Sequence, residues 1–430
     1  MSRLSDPVTL PCGLTAPNRL AKAAMTEGLA DPGGVAGARV ARAYTAWAEG
    51  GAGLILTGNI MVDARYRERP ANVVVDGAQD ERARSGLEAY AAAAKAGGGL
   101  AIAQLSHAGR QSPKSIAPEP VGPSAVPVKL PGGVFATPRA LETNEIHEVV
   151  ARFAATARTC VQAGFDGVQI HAAHGYLISE FLNPLVNQRT DEWGGSLENR
   201  AAILIETVRA TRAAIGPDRA LSVKLNSSDF QKGGFSFEDC LKVVALLDRE
   251  SVDLLEISGG NYEQPRMMGI EGMEPVFEDE VRESTRAREA YFMAYAETVI
   301  EQAATPVMVT GGFRTRAAME EAVAGGVAVI GIGRPLCVDP DAPAKLLSGE
   351  LDELPAYEKT LRLGSGWFGP ASPNDIMKAA NGFAAMAFFY RNILRLGDGE
   401  RPKTRMNLFA ALIAHQMTEA KDAKRIAQVN

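Results

Sequence analysis

Along the first 350 residues, short apolar runs alternate with longer stretches in which apolar side chains recur every three or four positions. The runs are Leu20–Met25, Leu54–Thr57, Leu100–Leu105, Asp166–Ile170, Leu221–Leu225, Leu254–Ile257, Val307–Thr310 and Ala328–Ile332. Each is apolar on both faces, as expected of parallel strands covered by helices. Between them, helical periodicity covers Arg39–Glu49, Glu81–Ala96, Thr143–Gln162, Ser196–Ala214, Phe237–Arg249 and about Thr285–Ala303. Ser196 is placed as an N-cap, and a short helix ends at Gly325-Gly326. Asp339-Pro340 has the form of a cap followed by proline in the first turn, which starts a last helix running to about Leu347. An eight-fold alternation of strand and helix predicts an α/β fold, the closed (β/α)8 TIM barrel. Val8–Leu10 and Leu14–Thr15 flank Pro11-Cys12-Gly13 and predict a hairpin ahead of the first strand.

Beyond about residue 350 the pattern changes. Phe383, Met386, Ala387, Tyr390, Ile393 and Leu394 share one helical face, as do Leu408, Phe409, Leu412 and Ile413. The chain thus divides into a barrel, 1–350, and a C-terminal helical extension, 351–430, expected to pack on the barrel or at a subunit contact rather than to carry chemistry. Two segments are longer than ordinary connections, Ser112–Thr143 and Asn261–Glu283, and both are expected to cover a pocket.

Composition narrows the function. The 430 residues are 46% hydrophobic and 22% charged, close to globular norms. A net charge of −6 offers no basic footprint for nucleic acid. No apolar run is long enough to span a bilayer, and MSRLSDPVTLPCG lacks the apolar core of a secretory signal. Cys12, Cys160, Cys240 and Cys337 lie far apart with no metal-ligand spacing, so a reduced, cytoplasmic chain acting on a small molecule is expected.

In a barrel of this type the chemistry stands at the C-terminal ends of the strands. Those ends carry Ala24-Met25-Thr26, Gly58-Asn59, Gln104 with His107, His171 with His174 and Tyr176, Lys224 with Asn226, Ser258-Gly259-Gly260, Gly311-Gly312 and Gly333-Arg334. The two glycine turns after the last strands suit a phosphate, which backbone N–H groups and Arg334 would hold. Lys224 closes an otherwise apolar strand, and its charge calls for an anionic partner such as a cofactor edge or substrate. His107, His171 and His174 admit a zinc reading. With five histidines in the chain and no H-x-H or H-E-x-x-H spacing, the pair beside Tyr176 reads better as two neutral donors aimed at one oxygen.

The runs PNRLAKAAMT, GLILTGN, AQLSHAGRQS, IHAAHGYLISEFLNPLVNQRTDEWGGSLENR, VKLNSSDF, VTGGFRT and IGIGRPL together resemble the Old Yellow Enzyme family of NADH:flavin oxidoreductases, the FMN-dependent ene-reductases. The resemblance implies FMN as cofactor and NADH or NADPH as reductant. Ala24, Met25, Thr26 and Gly58 would line the flavin, and Gln104 and Lys224 would meet its pyrimidine edge. Gly311, Gly312, Gly333 and Arg334 would hold its phosphate. His171 and His174 would grip a carbonyl oxygen, Tyr176 would be the proton donor, and Tyr262 would touch the substrate. The implied reaction is ping-pong hydride transfer through the flavin N5 to an α,β-unsaturated carbonyl or related activated alkene. A phenol of ordinary pKa, about 10, is protonated near neutral pH and can serve as the acid. Two other outcomes share the fold: FMN-dependent dehydrogenation, nitro or cyclic-amine chemistry, and a flavin-binding protein without turnover. This chain has Lys224 where many relatives have arginine, which keeps the charge and loses the two-pronged bond. It has Ala24 where proline is common, and it lacks the cysteine cluster of the larger iron–sulfur relatives.

Overall fold

The computed structural model describes residues 3–130, 133–258 and 293–426. Eight parallel strands close on themselves: β1 Leu20–Lys22, β2 Leu54–Leu56, β3 Leu100–Ser106, β4 Gly167–Ala172, β5 Ala220–Asn226, β6 Leu254–Ser258, β7 Val307–Thr310 and β8 Val329–Ile332. Each strand pairs with its sequence neighbour, and β8 pairs with β1, so that no edge of the barrel is left open. The helices that cover it are α1 Ala38–Glu49, α2 Glu81–Ala94, α3 Thr143–Gln162, α4 Leu197–Ile215, α5 Phe237–Leu247, α6 Met293–Gln302, α7 Arg316–Ala324 and α8 Ala342–Ser348. The sequence-based barrel is therefore the observed one.

Two layers of apolar packing hold it. One lies between strands and helices, with Trp47, Tyr90, Phe153 and Phe165 fully buried. The other fills the bottom of the barrel, where Ala21, Leu54, Ile102, Leu254, Met308 and Val329 meet Val8, Leu10 and Ala16 of the N-terminal hairpin. The hairpin pairs Val8 with Ala16 and Thr9 with Thr15, and it plugs the end of the barrel opposite the strand C-termini.

Ser196 caps α4 as expected, accepting from the Asn199 amide at 3.3 Å. Two boundaries differ. The last barrel helix starts two residues later than expected, after Asp341, whose side chain makes no capping hydrogen bond, and the Asp339 carboxylate instead meets the Lys345 ammonium at 2.8 Å. The fourth strand runs past Ile170 to Ala172, because its register against β5 pairs His171 with Lys224. His171 consequently sits on the rigid sheet and not in the loop.

The C-terminal extension forms α9, Asp375–Gly397, and α10, Leu408–Ile426. The end of α9 is pinned to α1 by an Arg39–Asp398 ion pair at 2.7 Å and by Arg42 Nε donating to the Gly397 carbonyl at 2.7 Å. Arg69, from the loop after β2, reaches Glu419 on α10 at 2.5 Å.

Candidate active site

A cavity opens at the C-terminal ends of the strands, and most of the expected residues line it: Ala24, Met25, Thr26, Gln104, His171, His174, Tyr176, Lys224, Gly311, Gly312, Gly333 and Arg334. Gly58 does not line it. It stands behind the first strand end, where a Cβ would come within 2.3 Å of the Met25 carbonyl, and its amide donates to Glu27 at 2.9 Å. Its smallness lets the Met25 segment pass, so it shapes the cavity from behind. Tyr262 lies outside the described residues.

At one end, His171 touches both His174 and Tyr176 edge-on, with ring centroids 5.1 Å and 4.7 Å apart. Strand β4 fixes the first histidine. The chain then turns sharply through His174, whose φ of 62° is left-handed, and Gly175 at 76°. The His174 amide donates to Asn226 Oδ1 at 3.2 Å, which holds this costly turn in place. His174 Nε2 lies 2.7 Å from the Ser258 hydroxyl. His171 Nδ1 accepts from the Ala173 amide at 3.3 Å, which assigns the ring proton to Nε2. Burial first, and then the Lys224 charge, hold both imidazoles well below the usual histidine range. Both are therefore neutral at pH 7 and can donate a hydrogen bond without carrying charge. His107, the third candidate for a metal, does not share this site: it packs on Tyr66 with centroids 5.2 Å apart, and its Nε2 is 4.0 Å from Asp63.

The floor is polar and linked by hydrogen bonds. Gln104 Nε2 donates to Gln169 Oε1 at 2.7 Å, and Gln169 Nε2 donates to Glu256 Oε2 at 2.9 Å. Glu256 Oε1 meets the Lys224 ammonium at 2.9 Å, off the angle of a hydrogen bond, so the ammonium keeps N–H directions for the cavity it lines. Lys224 thus has a protein counter-ion, where the sequence suggested only an external one. The signal was present in Leu254–Ile257, where Glu256 interrupts an apolar strand.

At the other end the glycine turns come together. Gly311 and Gly312 take φ of 112° and 84°, backbone that a side chain would strain. Arg334 opens a short 3-10 helix beside them, and Arg314 joins it, a residue visible in VTGGFRT but not assigned a role from sequence. Glu358, which also lines the cavity, pairs with Arg314 and lies 3.7 Å from Arg334. Arg334 Nη1 and Arg314 Nε are buried with no hydrogen-bond partner among the described residues. Unspent buried donors beside left-handed glycine backbone fit a phosphate group.

Between the two ends the Thr26 hydroxyl donates to Glu68 at 3.0 Å, so it offers the cavity an oxygen lone pair more than a proton. Met25 Sδ lies 3.6 Å from Cys337 Sγ. Glu68 and Cys337 line the cavity and carried no role in the sequence reading. The extension lines it too, through Ala385, Met386, Phe389, Tyr390 and Ile393 of α9. The sequence reading treated that face as packing alone.

Known proteins resemble this chain in sequence and in fold. Residues 4–353 match the model of the NADH:flavin oxidoreductase / NADH oxidase family. The NADH-dependent flavin oxidoreductase iliE of Hypocrea jecorina is 36% identical over 360 residues, covering 80% of this chain and 88% of that protein. The protein of the same name from a Neonectria species is 36% identical over 78% of this chain, which spans only 46% of its length. The old yellow enzyme homologue of Zymomonas mobilis superposes with a TM-score of 0.66 at 26% identity, covering 82% of this chain and 94% of that one. The chain is a flavin-dependent oxidoreductase that uses FMN and a nicotinamide nucleotide, and it belongs to the NADH:flavin oxidoreductase / NADH oxidase family of which Old Yellow Enzyme is a structural relative.

Proposed function

We propose that the protein reduces the activated carbon–carbon double bond of an α,β-unsaturated carbonyl compound at the expense of NADH or NADPH. The observation that carries this is the His171–His174–Tyr176 cluster, two neutral imidazoles and a phenol in edge contact in the cavity that also contains Lys224 and Arg334.

Bound FMN supplies two-electron hydride chemistry, accepted from the nicotinamide and passed to the alkene in turn. Arg334, Arg314 and the Gly311-Gly312 and Gly333 backbone would hold its phosphate. Ala24, Met25 and Thr26 would line the flavin, and Gln104 and Lys224 would meet its polar edge, where the ammonium would supply a positive charge. His171 and His174 hold the substrate oxygen by hydrogen bonds and stabilise the negative charge that develops on it in the transition state. Tyr176 would deliver the proton to the carbon next to the carbonyl. The nucleotide and the alkene would use this one cavity in turn. We read the chain as barrel 1–350 plus extension 351–430.

Among the described residues no helix is long and apolar enough to cross a membrane. We further propose a cytoplasmic enzyme of small molecules that has no nucleic-acid partner. Self-association is supported by Trp367, Phe368, Ile376, Phe383 and Phe409, large apolar side chains exposed on the extension. Light scattering of the purified protein tests it. A second reading, oxidation of a cyclic amine, draws support from the Glu68 carboxylate in the cavity, which would seat a cation.

The test is anaerobic. The FMN-loaded protein is bleached by NADH or NADPH and then mixed with 2-cyclohexenone. Return of the yellow colour with formation of cyclohexanone is the expected result. A bleached protein that enones do not reoxidise, and whose oxidised form is bleached by cyclic amines, sinks the alkene reading in favour of the second.

A further inference from the structure

The extension lies outside the residues that match the family, which end at 353, yet α9 turns five side chains into the cavity. Ala385, Met386, Phe389, Tyr390 and Ile393 fall at successive turns along one side of that helix, the arrangement by which a helix presents one continuous stripe. Phe389 is 8% exposed and Ile393 2%, while Ala385, Met386 and Tyr390 are half-buried. Four of the five are wholly apolar. The same cavity is also lined by the polar side chains of His171, His174 and Lys224.

The stripe is also held in place from the barrel. The Arg69 guanidinium stands over the Tyr390 ring, 4.0 Å from its centroid, and pairs with Glu419 on α10 at 2.5 Å. On its other side Tyr390 stacks on His415 of α10, with centroids 4.9 Å apart and planes within 6°. Arg69 follows Glu68, whose carboxylate accepts from Thr26 in the cavity. One arginine from the loop after β2 therefore ties both C-terminal helices to the segment that faces the cavity. A planar guanidinium suits this: it stacks on the ring and still reaches a carboxylate, which a lysine could not do together.

We infer that α9 is a wall of the substrate pocket, and that Met386, Phe389, Tyr390 and Ile393 select acceptors whose polar end reaches His171 and His174 and whose apolar ring or alkyl body fits against the helix, with Arg69 as the positioning residue. The substrate class rests on the alkene reading above. The wall itself does not.

The test uses the full-length, FMN-loaded protein with 2-cyclohexenone and the same ring carrying a 4-tert-butyl or 4-phenyl group. Dissociation constants are read from the shift of the oxidised flavin spectrum, which needs no turnover, and steady-state rates are read separately. Phe389→Ala widens the wall and is expected to shift the small-to-bulky ratio of dissociation constants by about tenfold or more towards the bulky rings. Ala385→Phe narrows it and should shift the ratio the other way. Arg69→Leu should weaken discrimination, and Arg69→Lys should restore it only in part. Lys421→Ala, exposed on α10, is the control and should leave the ratio as in the unaltered protein. Ratios that do not move in Phe389→Ala and Ala385→Phe, or a flavin spectrum that none of the rings perturbs, overturn the wall. Rings that bind with shifted ratios but are not reduced leave the wall standing and overturn the alkene reading.

Discussion

Breaking the Lys224–Glu256 pair from either side should cost far more than removing both charges together. The two residues are register partners on β5 and β6, their charges 2.9 Å apart, with side chains 4% and 0% exposed. At an effective dielectric of about 20, two unit charges at that spacing attract by roughly 6 kcal/mol. Desolvating each ion costs several kcal/mol, so the intact pair comes out near balance. Half of it does not, because the remaining charge is buried without its counter-ion. Lys224→Met and Glu256→Gln are each expected to destabilise the protein by about 3–5 kcal/mol. The double variant should cost less than the sum by roughly 2 kcal/mol or more, the coupling typical of residues in direct contact. Gln169 complicates only one side: its amide donates to Glu256 Oε2 at 2.9 Å, and the Glu256→Gln variant keeps a carbonyl oxygen that can accept the same bond. Urea unfolding followed by circular dichroism, on the four proteins with and without FMN, measures the cycle. Additive losses would refute the reasoning, since they would mean that the ammonium and carboxylate do not stabilise one another. The flavin potential supplies a second readout: with Glu256→Gln the Lys224 charge is no longer offset, and the reduced flavin should become easier to form.

Tyr176→Phe should lower alkene reduction by about 10²–10⁴-fold, the usual contribution of a placed acid, while bleaching by the nucleotide continues. Equal alkene rates in single-turnover mixing would remove Tyr176 from that role. Arg334→Ala should weaken FMN retention, read from the dissociation constant of fluorescence-quenched FMN, by about tenfold or more for the loss of one charge-assisted phosphate contact. Stability should also depend on pH in one direction. Burial holds His107 down to about 4 against an ordinary 6.5, and it lowers His171 and His174 as well. A base depressed in the folded state favours folding above 6.5 and loses that contribution as pH falls through the window from 6.5 to 4. For His107 alone the loss is roughly 3 kcal/mol at 1.36 kcal/mol per unit. Unfolding measured between pH 7 and 4.5 should show the decline, and a flat profile would contradict the neutral, buried assignment.

What the amino-acid order determined by itself is the barrel and most of the list of residues at its mouth. Parallel strands buried on both faces must be short apolar runs, so eight of them announce themselves one by one. Closure then places every strand end at the same rim, which is why Gln104, His171, Lys224 and Arg334 could be collected from positions far apart in sequence. The tertiary structure decided who answers whom. That Lys224 meets Glu256 depends on the register of two strands, and that Gly58 stands behind the cavity instead of in it depends on how closely Met25 passes. Arg314 and Arg334 converge with Glu358 only once the chain returns past the barrel. The periodicity of α9 showed that it had an apolar face, but an apolar face is alike whether it covers a barrel helix or a pocket. Periodicity records that a side chain avoids water; only the packing of Arg69 against Tyr390 decides what it turns towards instead.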